Sequence, residues 1–164
     1  MPSKTRASKS PDLLELDNQL CFALHATTRR VIRAYQEALE DLDLTYPQYL
    51  VMLVLWGWEK KRVAQPTVTA MGARLDLDSG TLTPLLRRLE QKGLLVRERS
   101  PDDARALFVR TTPAGKALRQ RAARVPVALL ECPPLPVQEL IALRNQLQRL
   151  RAALPWPESS RVSA

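Results

Sequence analysis

The chain has 164 residues, enough for one domain with a real core, and carries a formal net charge of +8 with a pI near 10.1. No stretch reaches the ~18–20 continuous apolar residues of a membrane span, and the basic first ten residues lack the apolar centre of a secretory signal. The expected setting is therefore cytoplasmic, where both cysteines are reduced at rest and any disulfide is a regulated event.

The charge is uneven. Residues 1–10 contribute +3 through Lys4, Arg6 and Lys9, residues 11–86 sum to −3, residues 87–110 to +3 and residues 115–151 to +5. A phosphate-binding face needs such a basic region, although a generic solvated basic surface fits the same numbers. Enzyme chemistry finds few parts. There is one histidine, no glycine-rich phosphate loop and no distinctive carboxylate pair. Asp12 and Glu15, like Glu37, Glu40 and Asp41, read as solvated helix faces, and Ser79-Gly80-Thr81 is too short for a phosphate loop. Cys21 and His25 are the only close pair of metal-ligand type, so no metal, cofactor or catalytic set is expected.

In chain order, residues 1–10 read as a disordered basic arm. A long amphipathic helix is predicted over 11–42, with Leu13, Leu16, Leu20, Leu24, Val31, Tyr35, Ala38 and Leu42 at steps of three or four apart from one longer gap. Thr45 as N-cap and Pro47 in the first turn open a second helix, whose body over 49–56 is apolar all round and so central to the core. Residues 57–66 (GWEKKRVAQP) are expected as a polar loop.

Thr67 then caps a short helix carrying Val68, Met71 and Leu75, and the turn Asp76-Leu77-Asp78 leads into another. In that next helix Leu82, Leu85, Leu86 and Leu89 fall at helical spacing, with Arg87, Arg88 and Lys92 toward another face. Asp78 or Ser79 caps its start and Gly93 ends it. Strands over 94–98 and 107–111 flank Ser100-Pro101-Asp102-Asp103-Ala104-Arg105, a turn with an arginine near its tip. A helix followed by a basic hairpin is the layout of a winged helix-turn-helix, with a reading unit over about residues 67–112. The helix suits the DNA major groove and the hairpin arginine the minor groove beside it. An ordinary hairpin with solvated charges is the plainer reading of this stretch alone.

Thr112-Pro113 starts a further helix, which Pro126 kinks or ends. Cys132-Pro133-Pro134 is a break, and Pro136 begins a last helix with Leu140, Leu143, Leu147, Leu150 and Leu154 at alternating steps of three and four. Residues 155–164 read as a loose tail. The fold class is thus α+β, mostly helical: one winged helix-turn-helix domain over 11–154 with dimerisation helices at its two ends. Those terminal helices carry apolar stripes that a minimal winged helix does not need, so they are expected to form a homodimer; packing on their own core is the alternative. A two-fold dimer sets two reading helices about one DNA turn (~34 Å) apart, which suits a pseudo-palindromic double-stranded operator.

Cys21 lies in Leu16-Asp17-Asn18-Gln19-Leu20-Cys21-Phe22-Ala23-Leu24, one position off the apolar stripe. Inert burial is the ordinary fate of such a cysteine. Asp17, one turn away, opposes a thiolate by like charge, and a protonated His25, one turn the other way, favours it. Sequence leaves that balance open.

Four segments together carry a resemblance: the one around Cys21, Thr45-Tyr46-Pro47-Gln48-Tyr49-Leu50, Leu77-Asp78-Ser79-Gly80-Thr81-Leu82-Thr83-Pro84-Leu85-Leu86, and Asp102-Asp103-Ala104-Arg105. Over roughly residues 13–154 the chain resembles the organic-hydroperoxide-sensing repressors, the OhrR branch of the MarR family. The winged-helix part is shared across MarR proteins, whereas LDNQLCF and LTYPQYL are specific to the peroxide-sensing branch.

The resemblance implies a homodimeric repressor that releases its DNA operator when an organic hydroperoxide oxidises Cys21. Tyr35 and Tyr46 match the two tyrosines that the partner subunit presents to that thiol, their hydroxyls donating to a thiolate and to a peroxide oxygen; ordinary core packing is the plainer reading of each. Ser79, Thr81 and Arg88 match DNA-facing residues of the reading helix, and Arg105 matches the wing-tip arginine. Cys132 takes, by resemblance, the place of a resolving thiol that captures the sulfenic acid on the other subunit. His25 stands where the family often has a third tyrosine, and the 57–66 loop is longer than usual. Two rival readings stand beside this one. The first is a MarR-type repressor responding to a small aromatic ligand in the dimer crevice. The second, remote, is a thiol peroxidase, which leaves the basic hairpin without a purpose.

Overall fold

Side-chain hydrogen bonds to the backbone cut the first apolar stripe into pieces. The computed structural model of the chain describes residues 12–99, 106–130 and 135–154. Asp12 Oδ1 accepts the Leu14 amide at 2.9 Å, and Asn18 Nδ2 donates to the Asp12 carbonyl at 2.8 Å. A single 3-10 turn, Leu16–Asn18, precedes an extended Gln19, and helix α1 (Leu20–Ala34) begins only there. The chain turns at Tyr35 before a short α2 (Gln36–Glu40). The continuous helix expected over 11–42 is therefore three elements. At the first break Asp and Asn side chains offer the backbone partners that compete with the helix; at the second, the Tyr35 ring stacks on Tyr46.

The chain divides into two units, residues up to Ala34 and residues from Tyr35. In the first, no residue of α1 is buried, and Leu13, Leu14, Leu16 and Leu20 are each more than half exposed.

The second unit is organised around α3 (Tyr46–Lys61). Thr45 is its N-cap, the Thr45 amide donating to Gln48 Oε1 at 3.0 Å, and Pro47 occupies the first turn. The all-round apolar body is central, as its composition predicts: Val51, Met52, Leu55 and Trp56 are buried. The helix continues through residues 57–61, which corrects the polar loop expected over 57–66. Its last turn is held from outside, because Glu59 accepts the Thr111 hydroxyl and pairs with Lys116 at 3.3 Å. Half of that segment is helix, and residues 62–66 connect it to α4.

Thr67 Oγ1 accepts the Ala70 amide at 3.1 Å and starts α4 (Val68–Leu75). Asp78 Oδ1 accepts the Thr81 amide at 2.8 Å and starts α5 (Ser79–Gln91). Gly93 closes α5 with φ +67. Its amide bonds to the Glu90 carbonyl at 2.9 Å and the Leu94 amide to the Leu89 carbonyl at 3.0 Å, a Schellman ending. Leu94 is thereby spent on the helix end, so β1 (Leu95–Arg99) begins one residue later than expected. It pairs antiparallel with β2 (Leu107–Thr111), from Leu95 opposite Thr111 to Arg99 opposite Leu107. A bridge between Thr67 and Phe108 adds the start of α4 to the other side of β2.

Thr112 Oγ1 accepts the Gly115 amide at 3.0 Å and starts α6 (Pro113–Ala122). The helix ends at Ala122, four residues before Pro126, which has no N–H to give the Ala122 carbonyl and whose ring crowds it. Pro126 itself sits in the first turn of α7 (Arg124–Leu130). The last helix is α8 (Val137–Ala153). Met71, Leu82, Leu86, Leu89, Leu95, Val109 and Val125 complete the core around Met52 and Leu55. Each such side chain stabilises the fold by ~1.5–3 kcal/mol when fully buried. The mostly helical winged helix-turn-helix expected from sequence is the fold observed.

One glycine is demanded by packing. A Cβ on Gly115 would lie 2.0 Å from the Leu94 carbonyl oxygen and 3.3 Å from Met52 Cε. Gly115→Ala should therefore cost about 1–3 kcal/mol or more and lower the thermal midpoint by several degrees. A wild-type midpoint in differential scanning calorimetry would show that the two backbones are not in contact.

Candidate functional site

The reading head is set by the turn between α4 and α5. Asp76 adopts the left-handed conformation at φ 52, ψ 49, and the Leu77 amide bonds back to the Gly72 carbonyl at 3.0 Å. Leu82, Leu86 and Leu89 bury one face of α5, and the opposite face stands clear. Ser79 and Arg88 lie exposed on it. Thr81 is exposed too, its hydroxyl donating to Asp78 Oδ2 at 3.2 Å and keeping its lone pairs for an incoming donor. The Thr81 amide, bonded to the Asp78 carboxylate, holds that carboxyl below its usual range. Arg87, placed with Arg88 away from the leucines by its spacing, shares the exposed face, as does Thr83, which was not singled out from the sequence; the signal for Thr83 is the four-residue step from Ser79. A helix N-terminus with exposed hydroxyls and guanidinium groups suits both phosphates and base edges.

The wing is fixed to this helix by one ion pair. Arg97 on β1 donates to Glu90 Oε2 through Nη2 at 2.6 Å and through Nε at 3.1 Å, while its amide reaches Glu90 Oε1 at 3.2 Å. The Arg97 guanidinium holds the Glu90 carboxyl below its usual range. Arg110 on β2 lies over the Phe108 ring, 5.6 Å from its centroid. Arg105 lies outside the described residues, as does Cys132.

Cys21, expected well inside a helix running from residue 11 and one position off its apolar stripe, is instead the second residue of α1 and is exposed. Amides of a first helical turn have no intrahelical acceptor, and the dipole there favours negative charge. His25, one turn on, is exposed as well. Tyr35 and Tyr46 belong to the second unit, where their rings stack at 6.0 Å with planes 10° apart. Tyr49 joins them, 6.5 Å from Tyr46 and 6.5 Å edge-on to Trp56. Burial, and secondarily the neighbouring tyrosines, pushes the Tyr35 and Tyr49 hydroxyls up from their ordinary value, so both stay protonated donors at neutral pH. Tyr49 was not picked out from the sequence; its three-residue step from Tyr46 was the available signal. Nearby, a groove of about 360 Å³ between α3 and the α6–α7 segment is lined by Tyr49, Leu53, Trp56, Lys60 and Arg119 among others.

No residue of α8 is buried, and its apolar Val137, Ile141, Leu143 and Leu147 are 37–50% exposed. Among the described residues, no helix is long and apolar enough to cross a membrane.

The fold and its exposed reading face define a winged helix-turn-helix regulator of transcription, and comparisons with known proteins agree. Residues 33–121 match the family model described as transcriptional regulator SarA/Rot. The chain is 41% identical over 143 residues to the organic hydroperoxide resistance transcriptional regulator of Bacillus subtilis, covering 87% of this chain and 94% of that protein. Its structure is similar to that of overoxidised AbfR bound to DNA, a Staphylococcus epidermidis protein, with a TM-score of 0.63 and 36% identity over 85% of this chain and 95% of that one. It is also similar to AbfR with its disulfide formed, with a TM-score of 0.56 and 38% identity over 82% and 91% of the two chains. The chain belongs to the MarR family of transcriptional regulators, in its organic hydroperoxide resistance branch. These relatives are named as regulators rather than enzymes, which removes the thiol peroxidase reading.

Glu90 supplies a pH test. Its carboxyl is lowered in the folded chain, so its contribution to stability is present above the unfolded value near 4.3 and is lost as pH falls through the lower folded value. Wild type should therefore exceed Glu90→Gln in stability at pH 7, by about 1 kcal/mol or less because the pair is partly solvated, and the gap should close in acid. A gap that is constant with pH in thermal melts contradicts the ion pair.

Proposed function

We propose that the protein is a cytoplasmic, homodimeric repressor that binds a pseudo-palindromic duplex operator when reduced and releases it when an organic hydroperoxide oxidises Cys21. The observation that carries this reading is an exposed cysteine in the first turn of α1, on a winged-helix chain whose Bacillus subtilis relative is named for organic hydroperoxide resistance. Ser79, Thr81 and Arg88 enter the major groove from α5, and Arg105 reaches the minor groove from the wing tip. The exposed apolar residues of α8 support the dimer, since a two-fold interface covers such a face.

In the proposed chemistry the Cys21 thiolate attacks one peroxide oxygen. The O–O bond breaks, the alkoxide leaves and takes a proton to become an alcohol, and Cys21 becomes a sulfenic acid. The partner subunit's Tyr35 and Tyr46 donate hydrogen bonds to the thiolate and the peroxide; the protonated state of Tyr35 supports this role. The thiol of Cys132 on the other subunit then attacks the sulfenic sulfur and displaces water, leaving an intersubunit disulfide. Such a bond needs Cα atoms within about 7 Å, so closing it from farther apart moves helices and misaligns the two reading heads. A second reading, a repressor that answers a small aromatic ligand, draws on the groove beside Tyr49 and Trp56.

Replacement of Cys21 separates the two. Cys21→Ser should bind DNA as wild type does and stay bound when cumene hydroperoxide is added in a gel shift; a variant that still lets go supports the ligand reading. Wild type should form a covalent dimer on a non-reducing gel, reversed by dithiothreitol and absent in Cys132→Ser. A Cys132→Ser protein that still forms it removes Cys132 from the scheme.

A further inference from the structure

The last turn of α8, a helix with no buried residue, reaches the reading head through one side chain. Arg151 Nε donates to Asp76 Oδ2, and Arg151 Nη2 donates to the Arg74 carbonyl at 3.3 Å. Of the four ion pairs among the described residues, this one joins the positions farthest apart in sequence.

Both acceptors sit where the helix-turn-helix is decided. Arg74 is in the last turn of α4, whose final carbonyls lack intrahelical donors and whose dipole end favours a cation. Asp76 is the first residue of the turn and holds the left-handed conformation, uncommon for a residue with a Cβ though Asp is among those that tolerate it. Two residues later Asp78 caps α5. One guanidinium therefore grips the end of α4 and the pivot residue from which α5 departs. Its planar fork presents the two donors to the two acceptors in a fixed geometry.

We propose that Asp76 and Arg151 are a positioning pair for DNA reading: α8 clamps the helix-turn-helix turn through them and so sets the aim of α5. The proposal rests on the reading of α5 as the DNA-reading helix. It ties the helix proposed as dimer face to the element that must be aimed, so a shift of α8 reaches the reading head through a defined contact.

The test uses the full-length reduced protein, a fluorescent duplex that wild type selects from a random-sequence library, and a scrambled duplex of equal length. Asp76→Asn removes a negative charge beside the DNA-facing helix, and by charge alone it tightens binding to both duplexes. Positioning predicts the opposite sign: binding to the selected duplex weakens roughly three- to tenfold, while binding to the scrambled duplex does not weaken. Arg151→Gln shows a similar selective loss, and the double variant loses no more than the worse single. Asp76→Asn that binds the selected duplex at wild-type strength or tighter overturns the proposal, as do additive losses in the double variant. If Asp76→Asn does not fold, Arg151→Gln decides alone: a loss confined to the selected duplex supports positioning, and an equal loss on both duplexes overturns it. A wild-type protein that selects no duplex overturns the DNA-reading premise instead, a separate result from any difference among variants.

Discussion

The contact between Gly115 and Leu94 joins the reading unit to the helices around it. Leu94 stands between the end of α5 and the start of β1, and its carbonyl also accepts the Thr112 amide at 3.2 Å. Gly115, in the first turn of α6, presses its bare Cα against that backbone, and its own carbonyl accepts the indole N–H of Trp56 at 2.8 Å. Reading helix, wing, α3 and α6 therefore meet at one small place. The Leu94–Gly115 contact is backbone against backbone and the buried Trp56 indole ties α3 to it, so displacement of one of these elements is transmitted to the others rather than absorbed.

Under the proposed reading, such rigidity suits a switch between two aims of a reading helix. The parts that carry the proposed DNA contacts are held by short polar links: Glu90 to Arg97 for the wing, Asp78 to Thr81 for the helix start. The parts that carry the proposed dimer face, α1 and α8, contribute no buried residue of their own helices in the single chain. Under the proposed reading, the dimer supplies the missing cover. A change made at a thiol in α1 then alters how two rigid heads are spaced, rather than melting either one.

Local chemistry made much of the fold legible. Thr45, Thr67, Thr112 and Asp78 are caps recognisable from their residue type and from the helical pattern downstream of each, and Gly93 marks a helix end that needs positive φ. Periodicity failed where polar side chains intervene. The stripe over 11–42 is regular, but Asp12 and Asn18 take backbone groups that a helix would use, and a spacing argument cannot see them. Residues 57–61 look like loop because they are polar, yet Glu59 finds Thr111 and Lys116 from distant parts of the chain. The site was less legible still. Nothing in spacing alone distinguishes Cys21 from a packed cysteine; the family resemblance singled it out. Tyr49 and Thr83 escaped notice because their relevance depends on which face of each helix is left open. The Arg151–Asp76 link joins residues too far apart for any local signal.

The central claim is that oxidation of Cys21, and no other event, releases DNA. It is tested most directly by titrating the DNA-bound protein with cumene hydroperoxide and measuring, in the same samples, fluorescence anisotropy of the duplex and the oxidation state of Cys21 by peptide mass spectrometry. The account predicts that the released fraction rises in step with Cys21 oxidation and returns with dithiothreitol as far as the thiol is recovered. Release that runs ahead of Cys21 oxidation, or complete Cys21 oxidation with the duplex still bound, would contradict it.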